Sequence, residues 1–96
     1  MSHQSENVHF IRLAFQDFFL ACEAKLLAPA TLEFYEAMIV PFLDWLDISD
    51  PTELRAHHIR SFLILRSKQV APGSVHAHAR AIRAFVRFGI VRLEDW

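Results

Sequence analysis

Residues 68–88 read KQVAPGSVHAHARAIRAFVRF, and from Gly73 or Ser74 onward their spacing is helical. His76, Arg80, Arg83 and Arg87 follow one another at steps of four, three and four residues. At 3.6 residues per turn those steps stack the four side chains into one stripe. Val75, Ala79, Ile82, Val86 and Ile90 form the adjacent apolar face expected of a buried helix side. Ala77, Ala81 and Ala84 give a third face, small enough for another backbone to come close. The strongly polar side of this helix is therefore a row of cations, which suits a polyanion.

Working outward, the chain has 96 residues, enough for one small domain with a single core. Fifty-three per cent of it is hydrophobic and only two residues are glycine, which suits a compact helical protein and excludes a disordered one. The net charge of −1 hides an asymmetry. Residues 1–54 hold two basic and nine acidic side chains, and residues 55–96 hold eight basic and two acidic ones. Such a dipolar domain presents one face to an anionic partner. Cys22 stands alone, so no internal disulfide forms. The N-terminus lacks the order of a signal peptide and no apolar run spans a membrane, so the expected location is the cytoplasm.

Residues 1–8 are polar and read as a flexible N-terminus, residues 9–90 as one helical domain, and residues 91–96 as a tail. A first helix is expected over His9–Leu26, with Phe15, Phe18, Phe19 and Cys22 on its apolar side. Ala28-Pro29-Ala30-Thr31 opens a second, with proline in the first turn and Leu32, Tyr35, Ile39, Phe42, Leu43 and Leu46 inward. Pro41 should kink it. Asp50 and Glu53 have capping-box spacing. A third helix runs to about Lys68 and buries Ile59, Phe62, Leu63 and Leu65. Sliding the chain by 43 residues lays Phe19-Leu20 on Phe62-Leu63, and Ala28-Pro29-Ala30-Thr31-Leu32 on Ala71-Pro72-Gly73-Ser74-Val75. Two helical hairpins related by this internal repeat and packed face to face predict an all-α, compact four-helix bundle.

The pattern FFLACEAKLLAPATLEFYEAMIVPFLDWL, a proline loop, then HHIRSFLILRSKQVAPGSVHAHARAIRAFVRF resembles the N-terminal core-binding domain of tyrosine recombinases, the phage integrases. Its marks are Thr31 with Tyr35, Pro72-Gly73-Ser74, and Arg83-Ala84-Phe85 followed by Arg87-Phe88. Leu26 stands where that family often has glycine, Ala28 where a capping serine is common, and Gly89 where a large apolar residue is usual. The resemblance implies a SAM-like helical module that forms half of a clamp around double-stranded DNA. Helices matching the second and fourth would approach the major groove, although Glu33 and Glu36 point outward from the second. It also implies that strand-exchange chemistry resides in a second, catalytic domain for which the tail would begin a linker. No enzymatic activity is then expected of these residues. His57 and Arg60 match the family's catalytic H-x-x-R by letter but fall in the wrong domain.

The expected DNA-contacting residues are Lys25, Thr31, Lys68, Gly73, Ser74, His76, Arg80, Arg83 and Arg87. They would act by phosphate neutralisation, by amide donors at the start of the fourth helix, and by one or two arginines at guanine edges. Pairing of the stripe with Glu33, Glu36 and Asp44 is the bland account, and exposed pairs contribute only ~0–1 kcal/mol each. No cofactor, metal or small-molecule substrate is expected. His76 and His78 lie two apart on a helix and diverge, and so do the adjacent His57 and His58. Neighbouring recombinase protomers are further expected partners, with Phe88 and Trp96 as apolar anchors for a protomer or for a further domain. The rival reading is a small helical adaptor whose basic stripe meets an acidic partner or a second copy.

Overall fold

A computed structural model of the chain describes residues 10–90, the last two by backbone alone. The expectations of a flexible residues 1–8, a linker-like tail at 91–96 and an anchoring Trp96 lie outside the described residues, as does the side chain of Ile90. Among the described residues there are four α-helices and no strand: α1 (Phe10–Ala24), α2 (Pro29–Trp45), α3 (Ala56–Ser67) and α4 (Pro72–Phe85). A 3-10 turn (Pro51–Glu53) precedes α3, and a π-helical turn (Val86–Ile90) continues α4. None of these helices is long and apolar enough to cross a membrane.

The buried line of α1 is Ile11, Ala14, Phe18 and Cys22, at helical spacing. Phe15 and Phe19, expected inside, are half-buried at its edge. Burial pushes the Cys22 thiol above its ordinary range, with Lys25 opposing the shift, which keeps the sulfur protonated and inert. The helix closes with Leu26 in the left-handed region at φ 59°. There the Leu26 N–H donates to the Glu23 carbonyl at 2.9 Å and the Leu27 N–H to Cys22 at 3.4 Å, the paired closing bonds of a Schellman motif.

Proline occupies the first turn of both α2 and α4, where its missing N–H costs nothing. Neither N-cap alanine, Ala28 or Ala71, supplies a side-chain acceptor. Helix α2 buries Ile39, Phe42 and Leu43 and continues through Pro41 as a single element. Asp50 caps the 3-10 turn by accepting from both the amide and hydroxyl of Thr52, and these bonds hold its carboxyl below the usual range. The partner of Asp50 is thus Thr52, not the side chain of Glu53. Leu54, fully buried, plugs the turn, and the Ile11 N–H reaches back to the Ser49 carbonyl at 2.7 Å.

Helix α3 buries Ala56, Ile59 and Phe62, while Leu65, expected inside, is exposed and Arg66 is half-buried in its stead. Its start is unusual. Arginine at the N-cap cannot accept a hydrogen bond, but the Arg55 N–H donates to Nδ1 of His58 at 2.9 Å. The rings of His57 and His58 lie 4.2 Å apart, tilted by 37°, so these neighbours do not diverge as expected.

The two hairpins, α1–α2 and α3–α4, meet chiefly where α4 packs on α2. Ala81 is fully buried at that seam and lets the backbones approach. The buried arc of α4 is His78, Ala81, Ile82, Phe85 and Val86, so Val75 and Ala79 are only half-buried and the arc is rotated towards His78. Two aromatic clusters fill the core. Phe18 meets Phe85, Phe88 and Tyr35 with centroids 5.3–5.7 Å apart, and Phe42, Trp45, Phe62 and His78 form the other.

Candidate nucleic-acid interface

Because α4 buries one arc against α2 and α3, its opposite arc is left to solvent. His76, Arg80, Arg83 and Arg87 are all exposed on it. Contacts of Arg80 with Phe34 and of His78 with Met38 run in opposite order along the two helices, so α2 and α4 are antiparallel where they touch. Gly73 and Ser74 therefore mark one end of the stripe, with Lys68 just before them at the C-cap of α3. Thr31 starts α2 at the other end, towards Arg87. From Gly73 to Arg87 the track is about 20 Å long at 1.5 Å per residue.

The stripe is not absorbed by the acidic residues of α2. Asp44 pairs with Arg12 of α1. Glu33 and Glu36 are exposed and meet no cation among the described residues. The Arg80 guanidinium lies 5.5 Å from the centre of the Phe34 ring, within cation–π range. That contact lays the side chain across α2 and restricts its rotamers without neutralising its charge. Phe34 was absent from the inward residues read in α2. Its signal is the line Phe34, Met38 and Phe42 at steps of four, the first two of which meet Arg80 and His78 of α4.

Past Phe85 the helix widens into the π-helical turn that carries Arg87. This widening re-aims Arg87 relative to an uninterrupted α-helix, and such turns recur at functional positions. Arg87 and Lys25 line one concavity of about 320 Å³, floored by Phe18, Cys22, Tyr35 and Phe88. Two cations 62 residues apart in sequence are thus brought to one place.

The start of α4 offers less than its sequence suggested. Pro72 has no N–H, and the amides of Ser74 and Val75 both donate to the Ala71 carbonyl, at 2.9 and 3.2 Å. Gly73 keeps the remaining amide of that turn, and a Cβ placed on it would meet nothing within 4 Å. Thr31 is in the same position in α2, its N–H given to Ala28 at 2.9 Å and its side chain half-buried.

His78, two residues from the exposed His76, is buried with 2 % of its surface exposed. Nδ1 lies 2.9 Å from the Met38 carbonyl, and the Arg66 Nε–H approaches Nε2 at 3.4 Å. Those partners select the neutral ring protonated on Nδ1. His78 thereby joins α2, α3 and α4 behind the exposed stripe.

Residues 14–92 match a protein family described as phage integrase, N-terminal SAM-like domain. The chain belongs to that family. The SAM-like assignment agrees with the all-helical architecture of the described residues. No curated protein and no solved structure matches the chain significantly.

Proposed function

We propose that this integrase-family SAM-like domain is a non-enzymatic DNA-binding module that contacts duplex DNA through α4 during site-specific recombination. The observation that carries the reading is the exposure of His76, Arg80, Arg83 and Arg87 along one side of a helix whose other sides are packed. A row of cations on a rigid element supports phosphate neutralisation, and arginine within it suits guanine edges. Lys25 and Arg87 extend the track beyond α4, and Lys68 and the Gly73 amide extend it at the other end. The domain would contribute affinity and register on a recombination site, with neighbouring recombinase protomers as further partners.

The test is fluorescence anisotropy with a labelled random duplex at low and moderate salt, wild type beside Arg80→Ala/Arg83→Ala/Arg87→Ala. Four neutralised phosphates give a log–log salt slope of about −3.6, and the triple variant removes most of it. A folded sample that fails to bind at low salt overturns the reading. The rival, a helical adaptor whose basic stripe meets an acidic surface or a second copy, draws support from the exposed Glu33 and Glu36, which meet no cation among the described residues. It predicts concentration-dependent mass in solution and no response to DNA.

A further inference from the structure

A groove of about 510 Å³ lies between α1 and α2, away from the basic stripe of α4. Its apolar lining comes from both helices: Phe15, Phe19 and Leu20 on one side, Val40 and Leu43 on the other. Leu20 is 63 % exposed at its lip, so the lining is open to solvent.

The charges around the groove are unequal. The Arg12–Asp44 pair, joining the start of α1 to the end of α2, sets the two helices antiparallel and leaves that end of the groove neutral. Glu23 and Glu36 then fall in the opposite half, and neither meets a cation among the described residues. One end of an apolar channel is therefore negative, with no cation paired to it among the described residues.

The lining on α1 runs from Arg12 to Glu23, about three helical turns. A channel of this length between two helices accepts a third helix through side chains at positions i, i+3 and i+7. We infer that the α1–α2 groove docks an amphipathic helix of another protein, one with three apolar anchors and lysine or arginine at the end that meets Glu23 and Glu36. This goes beyond DNA binding by α4 and does not depend on it. The apolar anchors would cover Leu20 and its neighbours, and the cations would set the direction in which the helix lies.

A labelled synthetic helix of about 14 residues, with leucine at i, i+3 and i+7 and lysines in its last turn, is titrated with the full chain by fluorescence anisotropy. Binding is expected, weakened about tenfold or more by Leu20→Asp, which loses an apolar anchor. Glu23→Lys/Glu36→Lys should reverse the preference towards a peptide carrying glutamate in place of lysine. All three substituted positions are exposed, and circular dichroism confirms that the variants are folded. Several results overturn the inference: no binding by the folded chain, equal binding of both peptides, or displacement by duplex DNA, which places the peptide on α4. Self-association abolished by Leu20→Asp also overturns it, because the occupant is then a second copy.

Discussion

Nδ1 of His78 lies 2.9 Å from the main-chain carbonyl of Met38, a bond from the middle of α4 to the middle of α2. Pro41 has no N–H for the carbonyl of Ala37, so this link falls one residue from the carbonyl orphaned inside α2. The His78 ring also stands edge-on to Phe62 at 5.4 Å. A polar tie is thus built into the seam that positions the basic helix.

Substitution at His78 separates its hydrogen bonds from its volume. His78→Phe keeps a ring but removes the donor to Met38 and the acceptor for Arg66, and should cost about 1–3 kcal/mol. His78→Ala adds a cavity and should cost more, about 2–4 kcal/mol. Urea unfolding midpoints measure both, and a His78→Phe variant as stable as wild type would contradict the role assigned to the bond.

Leu26 pays the left-handed penalty at the end of α1, with 89 % of its surface in solvent and no packing to offset it. Leu26→Gly should raise stability by about 0.5–1 kcal/mol, despite the greater freedom of glycine in the unfolded chain. A thermal melt shows the sign directly.

Burial, and then the neighbouring His57, hold His58 below the ordinary imidazole range; the main-chain bond from Arg55 and the charge of Glu53 oppose that shift more weakly, and the Arg55 charge adds a little to it. The unfolded chain therefore binds this proton more readily than the folded one. The stabilising contribution is complete above about pH 6.5 and is lost as the pH falls through the lower folded value. The urea midpoint should drop between about pH 7.5 and pH 5.5, before Asp50 protonates. His58→Gln keeps an acceptor for the Arg55 N–H without a titrating ring, and should flatten that dependence.

Phe34→Leu removes the π-face under Arg80 but keeps an apolar side chain. At about 0.5–1 kcal/mol for an exposed cation–π contact, duplex affinity should fall about two- to fivefold. Unfolding midpoints should change much less than binding does. Equal affinity in wild type and variant would show that Phe34 does not organise Arg80.

Gly73→Ala sets stability against function. Nothing opposes a Cβ there, so the first turn of α4 should gain about 0.5–1 kcal/mol. If a phosphate approaches the Gly73 amide, duplex binding weakens in the same variant. Anisotropy and urea melts on one preparation should move in opposite directions.

The four helices, their proline starts and the cationic stripe were legible in the sequence, because each depends on spacing within a single helix. His76, Arg80 and Arg83 share a face whatever packs behind them, whereas the aim of Arg87 is set by the π-helical turn that carries it. The rotation of α4 about its axis was not legible. His78, not Val75 or Ala79, enters the core because Met38 and Arg66, 40 residues and 12 residues away in sequence, satisfy its ring nitrogens. Burial of a polar group depends on partners that local periodicity cannot supply. The same holds for the meeting of Lys25 with Arg87, for Phe34 beneath Arg80, and for the groove with Glu23 and Glu36 towards one end. Helical spacing by itself determined which residues share a face. Only the packing of α1 and α4 on α2 decided which faces meet, since that choice rests on contacts between segments distant in the chain.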